Sequence, residues 1–269
     1  MVLCLPMCSQ MENTNRHLFE RVRDLEFFDV SSSWDQIEEG FGPGTSDSRE
    51  EYEKNLKSQP ANWYWRDRTI KYTVNSLGYR APEFNKVNWK ESVVLFGCSN
   101  IFGIGVDDTD TISYHLEQMM GRPVINMGIG AGSITLALHN SVILKNICPD
   151  PYAVVHAWTS FDRTVYYNRF PRHIGPWMPA NAVGAKHLYQ WTEHKDHSRV
   201  HALMASMTSR HLWSNTRYME ATFFDNTAKL LNCETFVVVD HARDLFHPGP
   251  ISNKAIARRI HKNLTESKN

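Results

Sequence analysis

The sequence predicts an α/β protein with a parallel sheet covered by helices on both faces. From residue 93 onward, short apolar runs are separated by helix-like segments, and these runs lie at 93–96, 124–126, 153–157 and 236–239. Strands that alternate with helices need crossover connections, which place helices on both faces of a parallel sheet. The length agrees, because 269 residues can form one large α/β domain and bury a full core.

Helices are predicted between these strands and at the end of the chain. They cover residues 109–120, for which Asp107, Asp108 and Asp110 are capping candidates, residues 133–146, and the basic amphipathic segment 252–264. The stretch between residues 164 and 234 is longer than an ordinary crossover. Helices are predicted there at 199–207 and 216–231, and no fourth strand can be assigned to it.

Residues 1–90 differ in sequence pattern from the rest and are predicted to form an N-terminal arm or small subdomain, which leaves 91–269 as the α/β domain. The arm is expected to contain helices at 16–28 and 50–56, a turn at 40–48, and extended chain at 63–65 and 69–74. Near its end, Tyr79 and Arg80 are interpreted as packing residues. A place in the lining of the cleft is the alternative.

Composition excludes several classes of protein. Lys and Arg balance Asp and Glu at 29 each, so the net charge favours neither nucleic acid nor an anionic membrane as a partner. Five scattered cysteines without a C-x-x-C pair indicate a reducing compartment. No apolar run approaches the roughly 18 to 20 residues that span a bilayer, and the short apolar start lacks the features of a secretory signal. We therefore expect a soluble cytoplasmic protein.

Three residues offer the parts of a nucleophilic catalytic site. Ser99 follows the buried-type strand at 93–96, and the carboxyl ends of parallel strands are where open α/β sheets bind ligands. Asp244 and His247 stand three residues apart near the other end of the chain. Acyl transfer needs a hydroxyl activated by an imidazole, and an imidazole oriented by a carboxylate. The order Ser, Asp, His is therefore compatible with a serine hydrolase, although Ile101 replaces the second glycine of a G-x-S-x-G elbow.

Three short blocks make the chain resemble the SGNH (GDSL) hydrolase family. The first is Gly97-Cys98-Ser99 with Gly103, a divergent form of Gly-Asp-Ser. The second runs from Asn126 through the glycines at 128, 130 and 132, and the last is Asp244-x-x-His247 followed by Pro-Gly. The resemblance covers residues 93–264. It implies a three-layer α/β/α flavodoxin-like sandwich with a parallel sheet.

The resemblance also implies roles for individual residues. Ser99 would attack an ester carbonyl, His247 would take its proton, and Asp244 would orient His247. Backbone amides near Gly130 and Ala131 would bind the oxyanion.

The third block departs most, because Trp158-Thr159-Ser160 stands where family members carry Gly-x-Asn. Losing one oxyanion donor costs on the order of 10² to 10³ in turnover. Either the hydroxyl of Thr159 or Ser160 substitutes for the asparagine, or activity is reduced. Arg163 could hold a substrate group or pair locally with Asp162.

The resulting hypothesis is a serine esterase or deacylase that acts on a small-molecule or glycan ester, including O-acetyl groups on a glycan. An O-acyltransferase would use the same residues. The alternative from another class is a weakly active or inactive binding or structural module on the same scaffold, with a virion component of a phage as one example. The sequence does not predict the oligomeric state.

No metal and no cofactor is expected. His194, His197 and His201 have a helical spacing that a metal could use, but no further ligands accompany them. The glycine-rich segment 128–132 could open a dinucleotide site, but the third glycine of G-x-G-x-x-G falls on Ser133.

Overall fold

A five-stranded parallel sheet forms the centre of the protein. The computed structural model describes residues 26–35, 37–43, 46–167, 171–175 and 195–266. The strands of the sheet are β1 (Val93–Gly97), β2 (Val124–Gly128), β3 (Ala153–Trp158), β6 (Arg217–Thr222) and β7 (Glu234–Thr235). Their spatial order is β2-β1-β3-β6-β7, with every neighbouring pair parallel. This is the flavodoxin-like order, so the predicted fold class is confirmed.

Helices cover both faces of the sheet. The described α-helices are α1 (Arg49–Ser58), α2 (Ser99–Phe102), α3 (Ile112–Met120), α4 (Ile134–Ile147), α5 (Lys195–Leu212), α6 (Asp225–Leu231) and α7 (Pro250–Glu266). On one face, side chains of α4 and α5 pack with alternate residues of β1, β2 and β3, such as Val94 and Phe96. On the other face, α3 and α7 pack against the intervening residues, such as Val93 and Leu95. The alternation confirms strands that are buried on both faces.

Most of the predicted elements occur close to their expected bounds. The strands at 93, 124 and 153 are present, and so are the helices at 50–56, 109–120, 133–146, 199–207 and 252–264. Ser133 caps α4, because its side chain accepts a hydrogen bond from the amide of Leu136.

Two predictions in the second half of the chain are wrong. The helix expected at 216–231 is strand β6 followed by helix α6. No strand forms at 236–239. The strand in this region is the two-residue β7, which ends at Thr235, and Val237 and Val239 beyond it are 70% and 66% exposed. A small antiparallel hairpin, β4 (Thr164–Tyr167) with β5 (Pro171–Ile174), was not predicted.

Described residues of the arm pack against the sheet domain. Phe27, Phe28 and Tyr79 belong to the same buried cluster as α4. The Tyr79 hydroxyl donates to the carbonyl of Phe28 at 2.7 Å and accepts from Asn140 of α4 at 2.7 Å.

Residues 26–28 are not helical, and the rest of the helix expected at 16–28 lies outside the described residues. Residues 63–65 lie largely in turns and 69–74 form no strand. The division at residue 90 stays a prediction.

Among the described helices, none is both long and apolar enough to cross a lipid bilayer.

Candidate active site

Ser99 lies at the carboxyl end of β1, where it begins the short helix α2. Gly97 ends β1 and pairs with Gly128 at the end of β2. A Cβ atom on Gly128 would lie 2.3 Å from the backbone nitrogen of Phe102, so glycine lets α2 pack directly on β2. Gly103 ends α2 in the left-handed conformation. The chain therefore turns sharply at Ser99, whose side chain lies at the rim of the core.

Asp244 and His247 are hydrogen-bonded to each other. The Asp244 Oδ2 atom lies 2.5 Å from Nδ1 of His247. The other carboxylate oxygen accepts from the backbone amides of Phe246 and His247 at 3.0 and 3.1 Å. Leu245 has a φ of 65°, which turns the loop tightly enough for both contacts. The carboxylate thus fixes both the loop and the orientation of the imidazole ring.

The ionisation of Asp244 suits this role. Burial alone would raise the pKa of the Asp244 carboxyl. The hydrogen bond and charge of His247 and the two backbone amides outweigh that effect and hold the pKa below its usual value. Asp244 is therefore ionised at neutral pH and binds the Nδ1–H tautomer of His247, which leaves Nε2 as the atom that can accept a proton.

Ser99 and His247 line the same cavity, which has a volume of about 780 Å³. Of the other predicted site residues, Gly130, Ala131 and Arg163 also line it, and Asp244 lies behind His247. Among the described residues, no hydrogen bond joins Ser99 Oγ to the ring of His247. Such contacts are often long in unliganded enzymes and tighten when substrate binds.

A tight turn after β2 carries the predicted oxyanion donors. Ala131 has a φ of 55°, and the amide of Gly132 donates to the carbonyl of Ile129 at 2.9 Å. The amide of Ile129 donates in turn to the carbonyl of Gly97 at 3.1 Å, so the turn is attached to the end of β1 next to Ser99. The backbone at Gly130 and Ala131 is thereby held at the wall of the cavity.

Asn126, which belongs to the second block of the resemblance, has a structural role in the core. Its side chain is fully buried, and its Nδ2 atom donates to the carbonyl of Ile101 at 2.8 Å. Its Oδ1 atom accepts from the amide of Gly128 at 2.9 Å. Asn126 therefore connects α2 to the end of β2.

The hydroxyl groups of the third block lie away from this cavity. Thr159 is buried and is not a lining residue, and its Oγ1 atom has no hydrogen-bond partner among the described residues. Ser160 lines a neighbouring cavity of about 630 Å³, which shares Phe223 and Phe224 with the first. Arg163 packs over the ring of Phe224, with its guanidinium carbon 5.2 Å from the ring centre. Neither hydroxyl lines the cavity that holds Ser99.

Asp240 and His241 are a second acid and base close to this loop in sequence, but they are placed differently. The Asp240 carboxylate accepts from the amides of Ile251 and Ser252 at 3.0 and 2.7 Å. Asp240 therefore caps the start of α7, and its lone pairs are occupied by that helix. His241 is exposed. Asp244 is the carboxylate that faces an imidazole.

Residues of the arm form one wall of the cavity, which the sequence did not predict. Pro43, Ser46, Glu51 and Lys54 line it together with the apolar side chains of Phe223, Phe224, Val238 and Phe246. No local motif marks these arm residues, so their place follows only from the packing of the arm. Among the described residues, no group of three or more His, Cys, Asp or Glu side chains could hold a metal, and His194 lies outside them.

The order of the strands and the placement of the blocks decide the fold type. Ser99 follows β1, the glycine turn follows β2, and the Asp-x-x-His loop precedes the last helix of a β2-β1-β3 sheet. The chain has an SGNH-hydrolase-like fold.

Comparison with known proteins gives matches at the level of structure. No protein-family model matches the chain, and neither does any curated protein. One similar structure is a putative lipolytic protein of the G-D-S-L family from Desulfitobacterium hafniense DCB-2, with 11% identity, a TM-score of 0.39, and coverage of 64% of this chain and 99% of that one. Another is TesA, with 10% identity, a TM-score of 0.43, and coverage of 65% and 99%.

A third structure is a carbohydrate esterase whose active site displays divergent catalytic and non-catalytic binding functions. It has 11% identity, a TM-score of 0.43, and coverage of 69% of this chain and 71% of that one. Likeness at this level of identity concerns the fold and carries no argument about activity.

Proposed function

We propose that the protein is a serine ester hydrolase with Ser99 as nucleophile, His247 as general base and Asp244 as the residue that orients His247. The observation that carries this proposal is the 2.5 Å contact between Asp244 and Nδ1 of His247, made by a histidine that shares a cavity with a serine at the end of a parallel strand. The carboxylate and the imidazole are thus already hydrogen-bonded to each other, as the chemistry requires.

The proposed reaction has two stages. Ser99 Oγ attacks the ester carbonyl while Nε2 of His247 takes its proton, and the carbonyl oxygen becomes an oxyanion. When the oxyanion collapses, the bond to the alcohol breaks and His247 returns the proton to the leaving oxygen. Water then attacks the acyl-enzyme with the same base, which releases the carboxylic acid and restores Ser99. Base assistance of this kind contributes roughly 10² to 10⁴ in rate.

Backbone amides supply the proposed oxyanion site. The amide of Ser99 begins α2, and the turn at Gly130 and Ala131 lines the same cavity. Among the described residues, neither Thr159 nor Ser160 of the third block lines this cavity, and the side-chain amide that does line it is that of Asn100, which directly follows the nucleophile. We therefore expect a slow esterase, with turnover below that of family members that have the complete set of donors.

The walls of the cavity suit an ester with one apolar and one polar part. Phe223, Phe224 and Phe246 give the cavity apolar surface, and Glu51 and Lys54 give it charged groups. We propose a short-chain carboxylic ester, with an O-acetyl group on a glycan as one member of this class.

Hydrolysis of short-chain aryl esters and acetylated sugars tests the proposal. The wild type should hydrolyse at least one of them, and Ser99→Ala should reduce kcat by about 10³-fold or more. Ser46→Ala is the matched control, because Ser46 lines the same cavity and lies on the arm. It should change KM more than kcat. Wild-type rates equal to those of Ser99→Ala on every substrate would overturn the proposal.

A non-catalytic binding module is the second candidate, and the position of Thr159 and Ser160 away from the cavity favours it. It predicts saturable binding of an acetylated sugar that Ser99→Ala leaves unchanged, with no hydrolysis. Transfer to an added alcohol acceptor, measured as a new ester product, would instead indicate an acyltransferase.

A further inference from the structure

The residue before Asp244 is a buried arginine that binds the arm. Arg243 is 3% exposed, and its guanidinium donates to both oxygens of Asp47, which is 1% exposed, at 2.8 and 2.9 Å. A further bond runs to the carbonyl of Gly40 at 2.6 Å. The guanidinium carbon lies 4.5 and 5.1 Å from the ring centres of Phe41 and Tyr52. All of these partners belong to the arm, about 200 residues earlier in the sequence.

Tyr72 connects this ion pair to the segment that follows α2. Its hydroxyl donates to Asp47 at 2.5 Å and accepts from the amide of Gly105 at 2.6 Å. The carbonyl of Gly105 accepts from the backbone amide of Arg243 at 3.0 Å. The four groups therefore form a closed ring of hydrogen bonds, which we call the arm ring: Asp47, Tyr72, Gly105 and Arg243.

Two members of the arm ring lie close in sequence to the two parts of the proposed site, the nucleophile and the Asp244–His247 loop. Gly105 lies three residues after the end of the helix that begins at Ser99, and Arg243 immediately precedes Asp244. A Cβ atom on Gly105 would lie 2.9 Å from Cβ of Ala242, so the two segments touch. Displacement of either segment would change the distance between the nucleophile and its base.

The chemistry of the arm ring favours precise geometry. A buried ion pair is weak evidence for stability, because desolvation of both charges offsets their attraction. A bidentate arginine and carboxylate pair does fix distance and angle. Burial and the charge of Asp47 raise the pKa of Tyr72 well above its ordinary value, so its hydroxyl remains a donor at neutral pH.

We propose that Asp47, Tyr72 and Arg243 are positioning residues that set the place of the Asp244–His247 loop relative to Ser99. The proposal rests on the function proposed above. The arm is then a part of the catalytic unit, since Asp47 and Tyr72 add a second connection between two segments that already contact each other at Gly105 and Arg243. Misplacement of reacting groups by about 1 Å can reduce turnover about 10²-fold.

The test compares two variants that each remove one buried hydroxyl from the arm. Tyr72→Phe opens the arm ring. Tyr79→Phe is the matched control, because its hydroxyl links the arm to α4 through Phe28 and Asn140, neither of which is a member of the arm ring. For aryl ester hydrolysis we expect Tyr72→Phe to lower kcat by about 10- to 100-fold with KM nearly unchanged, and Tyr79→Phe to leave kcat within about twofold of the wild type.

A second measurement does not depend on hydrolysis. The proton between Nδ1 of His247 and Asp244 should give a low-field NMR resonance, assigned by its loss in His247→Gln. It should be present in the wild type and Tyr79→Phe, and weakened or shifted in Tyr72→Phe and in Arg243→Lys, which keeps the charge but loses the bidentate contact. Thermal unfolding identifies any variant that does not fold, and Arg243→Lys then replaces Tyr72→Phe in both measurements.

The outcomes separate the two proposals. A wild type that hydrolyses no ester overturns the proposed function, while the NMR comparison still tests the positioning. An active wild type whose kcat and resonance are the same in Tyr72→Phe, Arg243→Lys and Tyr79→Phe overturns the positioning role and leaves the esterase proposal intact.

Discussion

His156 should make the protein sensitive to acid, for a reason that is independent of the proposed site. It lies in the middle of β3, fully buried, with its ring stacked 4.9 Å from Phe96 and 4.4 Å from Trp158. Neither ring nitrogen has a hydrogen-bond partner among the described residues. Burial lowers the pKa of His156 from 6.5 to about 3.

The sign and size of the effect follow from proton linkage. Between about pH 3 and pH 6.5, the unfolded chain binds a proton at this residue and the folded protein does not. The free energy of unfolding therefore falls as the pH falls. Lowering the pH from 7 to 5 removes about 2 kcal/mol of stability through this one side chain.

Urea denaturation followed by far-UV circular dichroism measures this loss. His156→Leu should lose about 2 kcal/mol less than the wild type between pH 7 and pH 5. At pH 7 the two should differ little, because the removal of two unpaired nitrogens offsets the lost stacking. Phe96→Leu is the control, since it disrupts the same stack without removing a titratable group and should keep the full acid sensitivity. Equal losses in the wild type and His156→Leu would refute this reasoning.

Three further predictions concern single contacts. Asp240→Asn should weaken the cap of α7 and lower stability by about 1 kcal/mol in urea titrations while ester hydrolysis persists; loss of hydrolysis would instead make Asp240 part of the site. Arg80→Met should lower the free energy of unfolding by about 3 kcal/mol in the same assay, because the buried guanidinium donates to the carbonyls of Gly103 and Val106 and pairs with Asp108. A change under 1 kcal/mol would contradict this. Phe246→Ala, at a cavity residue that is 76% exposed, should leave stability unchanged but lower kcat/KM for butyl relative to acetyl esters about 10-fold, and an unchanged ratio would argue against an acyl contact.

Local pattern was sufficient to predict the central strands and most helices, but it failed where distant side chains compensate for polar residues. Strand β6 contains Glu220, a residue that argues against a buried strand. In the fold, that carboxylate accepts from Trp158 at 3.0 Å and Ser206 at 2.8 Å, and it pairs with Arg210 at 2.6 Å. These partners lie on other elements, so the sequence around Glu220 does not reveal them.

After β7, the apolar pattern predicted a strand that the fold does not contain. The apolar run 236–239 has the composition of a buried strand, yet Val237 and Val239 are exposed. β7 is the edge of the sheet and pairs with β6 over only two residues, so the run leaves the sheet after Thr235. Composition alone does not show where an edge strand stops pairing.

The candidate site could be predicted from the sequence where short motifs mark its residues, and not where its contacts join unmarked distant segments. Asp244 and His247 are three residues apart, and a tight loop is enough to bring them into contact. The pair of Asp47 and Arg243 spans 196 residues, and no spacing or motif points to it. Likewise, the cavity wall formed by the arm depends on how the arm packs on the sheet domain, which no local pattern specifies.

Covalent labelling of Ser99 by a fluorophosphonate tests the central claim most directly. The probe reacts only with a serine that a neighbouring base has activated, so it measures the proposed triad without knowledge of the substrate. Intact mass and peptide mapping should show one adduct per chain, located on Ser99, that is absent in Ser99→Ala and forms much more slowly in His247→Gln. An unlabelled wild type, or an adduct that persists in Ser99→Ala, would contradict the account.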